Sequence, residues 1–150
     1  MAFCGPLEDR IALRELMETY ANAISRVNAE EWAGCWAEEG ATWSIPFYPQ
    51  IGTVRGKENI VATWLDAMKT FSGDIFLMLP GSIEVSGDRA QVTAWTTEAF
   101  EVDGLVYRDR GWYDDVCVKV DGRWYYQNRT FILKHRQTFP VKEEDRTYTS

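Results

Sequence analysis

Histidine and cysteine are scarce in this 150-residue sequence, which limits the metal chemistry it can support. There is one histidine, His135, and there are three cysteines, Cys4, Cys35 and Cys117. The cysteines form no CxxC pair and no histidine stands at ligand spacing from them. The sequence therefore predicts neither a zinc site nor a disulfide framework. We expect free thiols and no bound metal.

Excess positive charge and long apolar runs are also missing. The formal net charge is -7 and the isoelectric point is about 4.8. Because affinity for nucleic acid comes largely from Lys and Arg on the phosphates, we expect no nucleic-acid partner. The chain opens Met-Ala-Phe-Cys-Gly-Pro without a basic-then-apolar signal and contains no 18-residue apolar stretch. We therefore expect no membrane association and a cytoplasmic location.

Aromatic residues, in contrast, are plentiful, with seven each of Trp, Tyr and Phe. Hydrophobic residues make up 45% of the chain and charged residues 26%, as in an ordinary globular protein. A chain of this length can bury about two-thirds of its surface in one core. We expect one domain over residues 1–150.

The first half of the chain has helical periodicity. Apolar residues recur every three or four positions over residues 7–27, which predicts a helix. Asn28 starts a capping box completed by Glu31, and the second helix is expected to run to about residue 38. A short strand at 41–45 precedes a third helix from 56 or 57 to about 71.

The second half has strand composition. Segments rich in Val, Tyr, Trp and Thr are separated by Pro80-Gly81, Ser86-Gly87-Asp88, Asp103-Gly104 and Asp121-Gly122, which predicts strands at 75–79, 83–85, 89–102, 105–120 and 123–133. Helices followed by an antiparallel meander are typical of an α+β fold. Strands this long must twist and coil, so the sheet should have a concave face that the helices cover.

Alternation along the last three strands predicts which face lines that hollow. We expect the even-numbered residues to point inward, because the valines of the strand at 105–120 then face the aromatic residues of the strand at 123–133. The pairs 120/124, 118/126 and 116/128 require a three-residue hairpin loop with a bulge. Glu98, Asp114 and Asn128 would then stand among aromatic side chains, a composition typical of a ligand pocket.

The alternative for these charged residues is ion pairing across the strands. Glu98 can lie opposite Arg110, and Asp115 can lie opposite Arg129. Each acid would then form a solvated ion pair with the arginine across from it.

The sequence contains the segments Asp9-Arg10-Ile11, Tyr20-Ala21, Glu30-Glu31-Trp32-Ala33-Gly34-Cys35-Trp36-Ala37-Glu38-Glu39-Gly40-Ala41-Thr42-Trp43, Arg55-Gly56-Lys57-Glu58-Asn59-Ile60, Ile83-Glu84-Val85-Ser86-Gly87-Asp88-Arg89-Ala90 and Val120-Asp121-Gly122-Arg123-Trp124. These segments resemble SnoaL-like proteins of the nuclear transport factor 2-like superfamily. Within that superfamily the chain is similar to the scytalone dehydratase group. The resemblance implies a cone-shaped, curved antiparallel or mixed sheet (an α+β barrel) closed by three N-terminal helices. It also implies an oligomer that needs no cofactor and that removes water or a halide from small ring compounds, or isomerises or cyclises them.

The residues on which that group relies are replaced in this chain. The first-helix acid of the group falls near Ser25, and its histidine falls near Phe76 or Leu77. Neither a hydroxyl nor a phenylalanine can substitute for imidazole as a base. His135 lies near the end of the last strand, outside the expected cone.

We therefore expect a lyase or isomerase with another base, acting by proton transfer on a ring compound. Asp114 is the predicted base, with its pKa raised by apolar neighbours. Asn128 and Tyr48, on a Pro-flanked loop, are predicted to hydrogen-bond the substrate oxygen. The predicted substrate-binding residues are Tyr20, Trp43, Trp64, Glu98, Trp112 and Tyr126.

Two other functions remain open. One is a non-catalytic small-molecule binding protein, in which the aromatic residues supply stacking area. The other is a structural subunit resembling the small subunit of ring-hydroxylating dioxygenases.

Odd-numbered residues of the same strands suggest a homo-oligomer, a dimer or trimer. Tyr113, Cys117, Tyr125, Gln127 and Phe131 would form an outer face rich in aromatics, and exposed patches of this kind usually mark an interface.

Overall fold

The computed structural model describes residues 1–147, so the last three residues of the predicted domain lie outside the described part, as do the side chains of residues 72 and 73. Within that part there are three α-helices and seven strands. The helices are α1 (Leu7–Arg26), α2 (Ala29–Gly34) and α3 (Lys57–Met68). The strands are β1 (Phe3–Cys4), β2 (Thr42–Ile45), β3 (Gly52–Arg55), β4 (Ser72–Ser86), β5 (Arg89–Val102), β6 (Leu105–Val120) and β7 (Arg123–Pro140).

The junction between α1 and α2 follows its sequence signals. Val27 ends α1 in the left-handed conformation, at φ 51°. The Asn28 side chain then accepts a hydrogen bond from the Glu31 backbone N–H at 3.2 Å, which confirms the predicted cap. The helix stops at residue 34 instead of 38, because the next residues pair with β7: Tyr126 exchanges backbone hydrogen bonds with Cys35 and Ala37.

The strands form one mixed sheet in the order β1-β4-β5-β6-β7-β2-β3. Strands β4 to β7 are an antiparallel meander, while β1 joins β4 and β2 joins β7 in parallel. The α+β class and the curved mixed sheet are confirmed. Within residues 1–147 the sheet stays open, with β1 and β3 at its edges, and does not close into a barrel.

Strand β4 is continuous where two strands were predicted. Pro80-Gly81 does not end it, because the pair is accommodated by a register shift opposite Ala94 and Thr93. A side chain at position 81 would come within 2.8 Å of the Thr93 hydroxyl, so glycine is needed there.

The hairpin between β6 and β7 differs from the prediction. Val120 pairs with Arg123, so the loop has two residues, Asp121 and Gly122, at φ 50° and 80°. Positive φ at both positions is the requirement of a type I′ turn. The predicted three-residue loop is wrong; the register shifts lie instead between Val116 and Cys117 and between Arg110 and Gly111.

This shorter turn reverses the predicted orientation of β6. Even-numbered residues of β5 do face inward, and Ala90, Val92 and Ala94 are buried. On β6, however, the inward residues are odd-numbered, as the burial of Tyr113 and Asp115 shows. The bulge then lets β7 bury Tyr126 and, three residues on, Arg129.

The outer face of the sheet is consequently different from the one predicted. Tyr113, Cys117 and Phe131 are buried and do not form it. Its exposed apolar residues include Leu77, Leu79 and Trp95, which are 57%, 69% and 51% exposed. Leu79 pairs with Trp95, Trp95 with Trp112, and Trp112 with Ile132, making one row across four strands.

The helices cover the opposite, concave face. Helix α1 packs mainly on β4, and the aromatic centre of the core is built around Trp32, which stacks on Trp64 at 4.6 Å between ring centroids. No helix in the described residues is both long and apolar enough to cross a bilayer.

Candidate functional site

An aromatic cavity of about 260 Å³ lies between the helices and the concave face of the sheet. It is lined by residues of α1, β2, the loop after β2, α3 and the segment that follows, and β4 to β7. These are Tyr20, Ile24, Trp43, Ile45, Tyr48, Gln50, Ile51, Thr63, Trp64, Ala67, Met68, Thr70, Phe71, Phe76, Glu98, Phe100, Asp109, Tyr113 and Phe131. A mostly apolar lining with few polar groups is typical of a small-molecule site.

The structure divides the predicted site residues into two groups. Five of them line the cavity: Tyr20, Trp43, Tyr48, Trp64 and Glu98. Tyr126 does not reach it, but lies buried against Tyr20 with ring centroids 5.5 Å apart.

The other three predicted residues lie away from the cavity. Asp114 is exposed on the outer face, where its carboxylate accepts a hydrogen bond from the Trp112 indole at 3.3 Å. Asn128 stands at the bulge of β7 and donates to the Thr42 hydroxyl at 2.7 Å. The predicted inward orientation of Asp114 and Trp112 is wrong. The two-residue turn shifts the pairing of β6 with β7 by one residue, so each side chain of β6 lies on the face opposite to the one predicted.

A carboxyl group in the cavity wall has a second carboxyl group beside it. Glu98 lines the cavity, and Asp74 lies close enough to share a hydrogen bond with it. Burial raises the pKa of Asp74 to about 6, and burial together with the Asp74 charge raises the pKa of Glu98 well above its usual value. Neither buried carboxyl oxygen of Asp74 has a hydrogen-bond donor among the described residues, so a hydrogen bond to Glu98 requires that one of the two carboxyls is protonated.

A third carboxyl group, that of Asp109, is paired with arginine. The Arg136 guanidinium donates two hydrogen bonds to it, at 2.8 and 2.6 Å, and a third to the Tyr48 hydroxyl at 2.7 Å. Since Tyr48 accepts this bond, its own O–H remains available to a ligand. The predicted pair of Glu98 with Arg110 is absent: Glu98 lies opposite Asp109.

A second ion pair lies deeper in the core. Arg129 donates two hydrogen bonds to Asp115, at 2.9 and 3.0 Å, and both side chains are fully buried. The pairing was predicted, but not its burial. The guanidinium lies 3.7 Å from the ring centroids of both Tyr113 and Tyr126 and 4.2 Å from that of Tyr20.

The hydroxyls of Tyr20 and Tyr113 form a pair of potential donors in the cavity wall. They are 3.4 Å apart and both residues are buried. Burial raises the pKa of each, so both remain protonated at neutral pH despite the nearby Arg129 charge.

The positions of the expected acid and histidine are adjacent but chemically inert. The Ser25 hydroxyl accepts a hydrogen bond from the Phe76 backbone N–H at 2.8 Å and donates to the Ala21 carbonyl oxygen at 3.1 Å. Phe76 contributes an apolar ring to the cavity. His135 is exposed near the end of β7.

Sequence reasoning missed Asp74, Asp109, Tyr113 and Arg136. Asp74 precedes the predicted start of its strand, and Arg136 follows the predicted end of β7. If Asp121-Gly122 is interpreted as a two-residue loop, the sequence predicts Tyr113 and Asp109 on the inner face, because side chains alternate between the two faces along a strand.

Helices that close the concave face of an open, curved sheet around one aromatic cavity define a cone-like α+β fold of the nuclear transport factor 2-like type. Within this type the chain belongs to the SnoaL-like domain family, which matches residues 5–130. No curated protein matches the sequence.

Solved structures share the fold at low sequence identity. A candidate scytalone dehydratase from Novosphingobium aromaticivorans is 21% identical, with a TM-score of 0.78 over 91% of each chain. A candidate aromatic ring hydroxylase from the same organism is 18% identical, with a TM-score of 0.81 over 91% of this chain and 96% of the other. A type 2 hexachlorocyclohexane dehydrochlorinase is 17% identical, with a TM-score of 0.79 over 91% of each chain.

Proposed function

We propose that this protein is a lyase or isomerase that transfers a proton on a small ring compound without a cofactor. The observation that carries the proposal is the carboxyl of Glu98 in a mostly apolar cavity wall with the carboxyl of Asp74 beside it, both with pKa values raised by burial. Perturbed pairs of this kind are frequent at catalytic sites. Structural relatives named for dehydration and dehydrochlorination are compatible with such chemistry.

The pair can act as both base and acid because the pKa of Asp74, about 6, favours its carboxylate at neutral pH, while burial and the Asp74 charge favour the protonated form of Glu98. When the shared proton moves to Asp74, Glu98 becomes a carboxylate facing the cavity. It then removes a proton from a carbon of the substrate and returns it to a leaving hydroxyl or to another carbon. Asp74 acts through Glu98 by holding the second proton, so it is a positioning residue.

Neutral O–H donors lie where negative charge would grow on the substrate. Tyr48, Tyr20 and Tyr113 all line the cavity. A substrate carbonyl oxygen that accepts a hydrogen bond from one of them gains stabilisation as the adjacent carbon loses its proton. This role was predicted for Tyr48 and Asn128, but the Asn128 amide is already bonded to Thr42.

The cavity volume limits the substrate to one or two rings. At about 260 Å³ it is slightly smaller than typical drug-sized sites of roughly 300–1,000 Å³. The stacked rings of Phe71 and Phe100, with centroids 4.4 Å apart, add a flat apolar wall on one side, and Tyr107 stacks on Phe100 at 5.2 Å. A planar, apolar ring compound with one oxygen suits this shape.

The proposal is tested by hydrogen exchange in D₂O, which requires only proton abstraction. We expect the protein to accelerate deuterium incorporation next to the carbonyl of 2-tetralone, measured by proton NMR against buffer alone. Asp114→Asn should exchange at the wild-type rate, because Asp114 is on the outer face. Loss of exchange in Asp114→Asn, with Asp74 and Glu98 intact, would contradict the assignment.

A non-catalytic binding protein is the second candidate, favoured by Ser25 and Phe76 at the positions of the group's acid and histidine. It predicts a different outcome of the same experiment. Ring ketones would then bind, with line broadening and a rise in melting temperature, yet exchange at the rate of buffer alone.

We also propose that the row of apolar residues on the outer face mediates homo-oligomer formation, as a dimer or trimer. Leu79 and Trp95 are more than half exposed in this row, and apolar patches of that kind usually mark an interface. Sedimentation equilibrium at micromolar concentration should give two or three times the chain mass of 17.3 kDa. Trp95→Asp should shift the mass toward the monomer, and a wild-type monomer would refute the proposal.

A further inference from the structure

The charges around the cavity do not balance. Of the carboxyls near it, that of Asp109 is neutralised by two hydrogen bonds from Arg136, and that of Asp115 by two from Arg129. The described residues that line the cavity include no lysine, arginine or histidine. Glu98 therefore faces the cavity, with Asp74 beside it, and the Arg136 charge that acts on Glu98 is already hydrogen-bonded to Asp109.

This pair carries a negative charge at neutral pH. The pKa of Asp74 is about 6, which favours its carboxylate at pH 7, while burial and the Asp74 charge raise the pKa of Glu98 well above its usual value and favour its protonated form. A buried charge without a partner is costly, and a ligand that supplies the opposite charge removes that cost.

The remaining wall is suited to the same kind of ligand. The rings of Trp43, Trp64 and Tyr113 line the cavity, and aromatic faces attract cations within about 6 Å. The Arg129 guanidinium, packed on three tyrosine rings at 3.7 to 4.2 Å, shows the same preference in the adjacent core.

We propose that the cavity selects a ring compound with a protonated nitrogen, held by a charge-assisted hydrogen bond to the Asp74–Glu98 pair and by the surrounding aromatic faces. The inference rests on the site of the proposed function and adds the charge of its ligand. An anionic ring compound would face a like charge and should be excluded.

Binding of a cation should strengthen as pH rises, because the cation favours the ionised pair. A ligand that prefers the deprotonated form of the pair gains affinity as the pH rises and the pair loses protons. The titratable and charged groups that face the pair come from each element around it. They are Tyr20 on α1, Tyr48 on the loop after β2, Asp74 on β4, Glu98 on β5, Asp109 and Tyr113 on β6, and Arg136 on β7. Of the shifted groups among them, only Asp74 and Glu98 have a pKa raised toward neutral pH.

The experiment uses three one-ring probes of similar size and different charge: 2-phenylethylammonium, 2-phenylethanol and 3-phenylpropanoate. Affinities are measured by calorimetry at pH 5 and pH 8. At pH 8 we expect the ammonium to bind roughly 10- to 100-fold more tightly than the alcohol, the value of one charge-assisted hydrogen bond. Its affinity should fall at least tenfold at pH 5, while that of the alcohol stays constant.

Two variants identify the source of the preference. The double variant Asp74→Asn/Glu98→Gln should bind the ammonium and the alcohol equally at both pH values. Glu84→Gln, an exposed acid on β4, is the matched control and should keep the wild-type preference. Binding of the alcohol by the double variant shows that it is folded.

The inference fails if the ammonium binds no better than the alcohol, if the anion binds best, or if the preference survives in the double variant. These outcomes are distinct from failure of the proposed function. A cation preference without deuterium exchange would support a binding protein selective for cations. Exchange in 2-tetralone without a cation preference would retain the proton-transfer function and reject the ligand charge.

Discussion

Glu98→Gln is expected to reduce the rate of deuterium exchange into 2-tetralone by roughly 10²- to 10⁴-fold, the usual contribution of a positioned general base. Glutamine keeps the size and hydrogen-bonding atoms of the side chain but cannot accept a proton at catalytic pH. Asp74→Asn should show a smaller loss, because Glu98 remains in contact with the substrate. Proton NMR in D₂O measures both rates.

The loss should not result from unfolding. Burial raises the pKa of both acids above the unfolded values of about 4, so the folded chain holds their protons more tightly than the unfolded chain does. The resulting contribution to stability is complete below pH 4 and is lost as the pH rises through 6. Glu98→Gln should therefore melt no lower than wild type at pH 8. An exchange rate within threefold of wild type would remove Glu98 from the mechanism.

Arg129→Met should destabilise the fold by about 3–5 kcal/mol, the usual cost of breaking a buried ion pair. The substitution leaves the fully buried Asp115 without its two hydrogen bonds and three tyrosine rings without the cation between them. Urea unfolding at pH 8 measures the change. For a chain of this size, we expect the melting temperature to fall by about 6–20 °C.

A double variant separates the cost of an unpaired charge from that of lost packing. Arg129→Met/Asp115→Leu should recover most of the stability, because apolar replacement of a whole buried pair is often neutral. Arg123→Met, at the exposed start of β7, serves as the surface control. A loss below 1 kcal/mol in Arg129→Met would show that the pair contributes little.

Local signals in the sequence were sufficient to predict most elements of the fold. The Asn28 cap, the bounds of β5 and β6 and the start of α3 are confirmed because each depends on neighbouring residues. The end of α2 and the continuity of β4 depend on partners distant in sequence. Backbone pairing with Tyr126 stops α2, and pairing with β5 carries β4 past Pro80.

The candidate site was less predictable because it depends on register. The assumed turn had one residue too many, so the prediction placed Asp114 on the inner face and Tyr113 on the outer face. Strand β5 does not depend on that turn, and its orientation was predicted correctly. Val116 does pair with Asn128 as predicted, but only because a bulge after the turn compensates. Asp74 could not be recognised from its neighbours, since only the fold brings it to Glu98.

Strand β7 continues to Pro140, ten residues beyond the end of the family match at residue 130. Arg136, on this extension, anchors both Asp109 and the Tyr48 loop at the cavity. The position of the Tyr48 hydroxyl in the cavity wall therefore depends on a residue that lies beyond the matched part of the chain. Substitution of Arg136 can consequently reshape the cavity wall without changing any of the residues that line it.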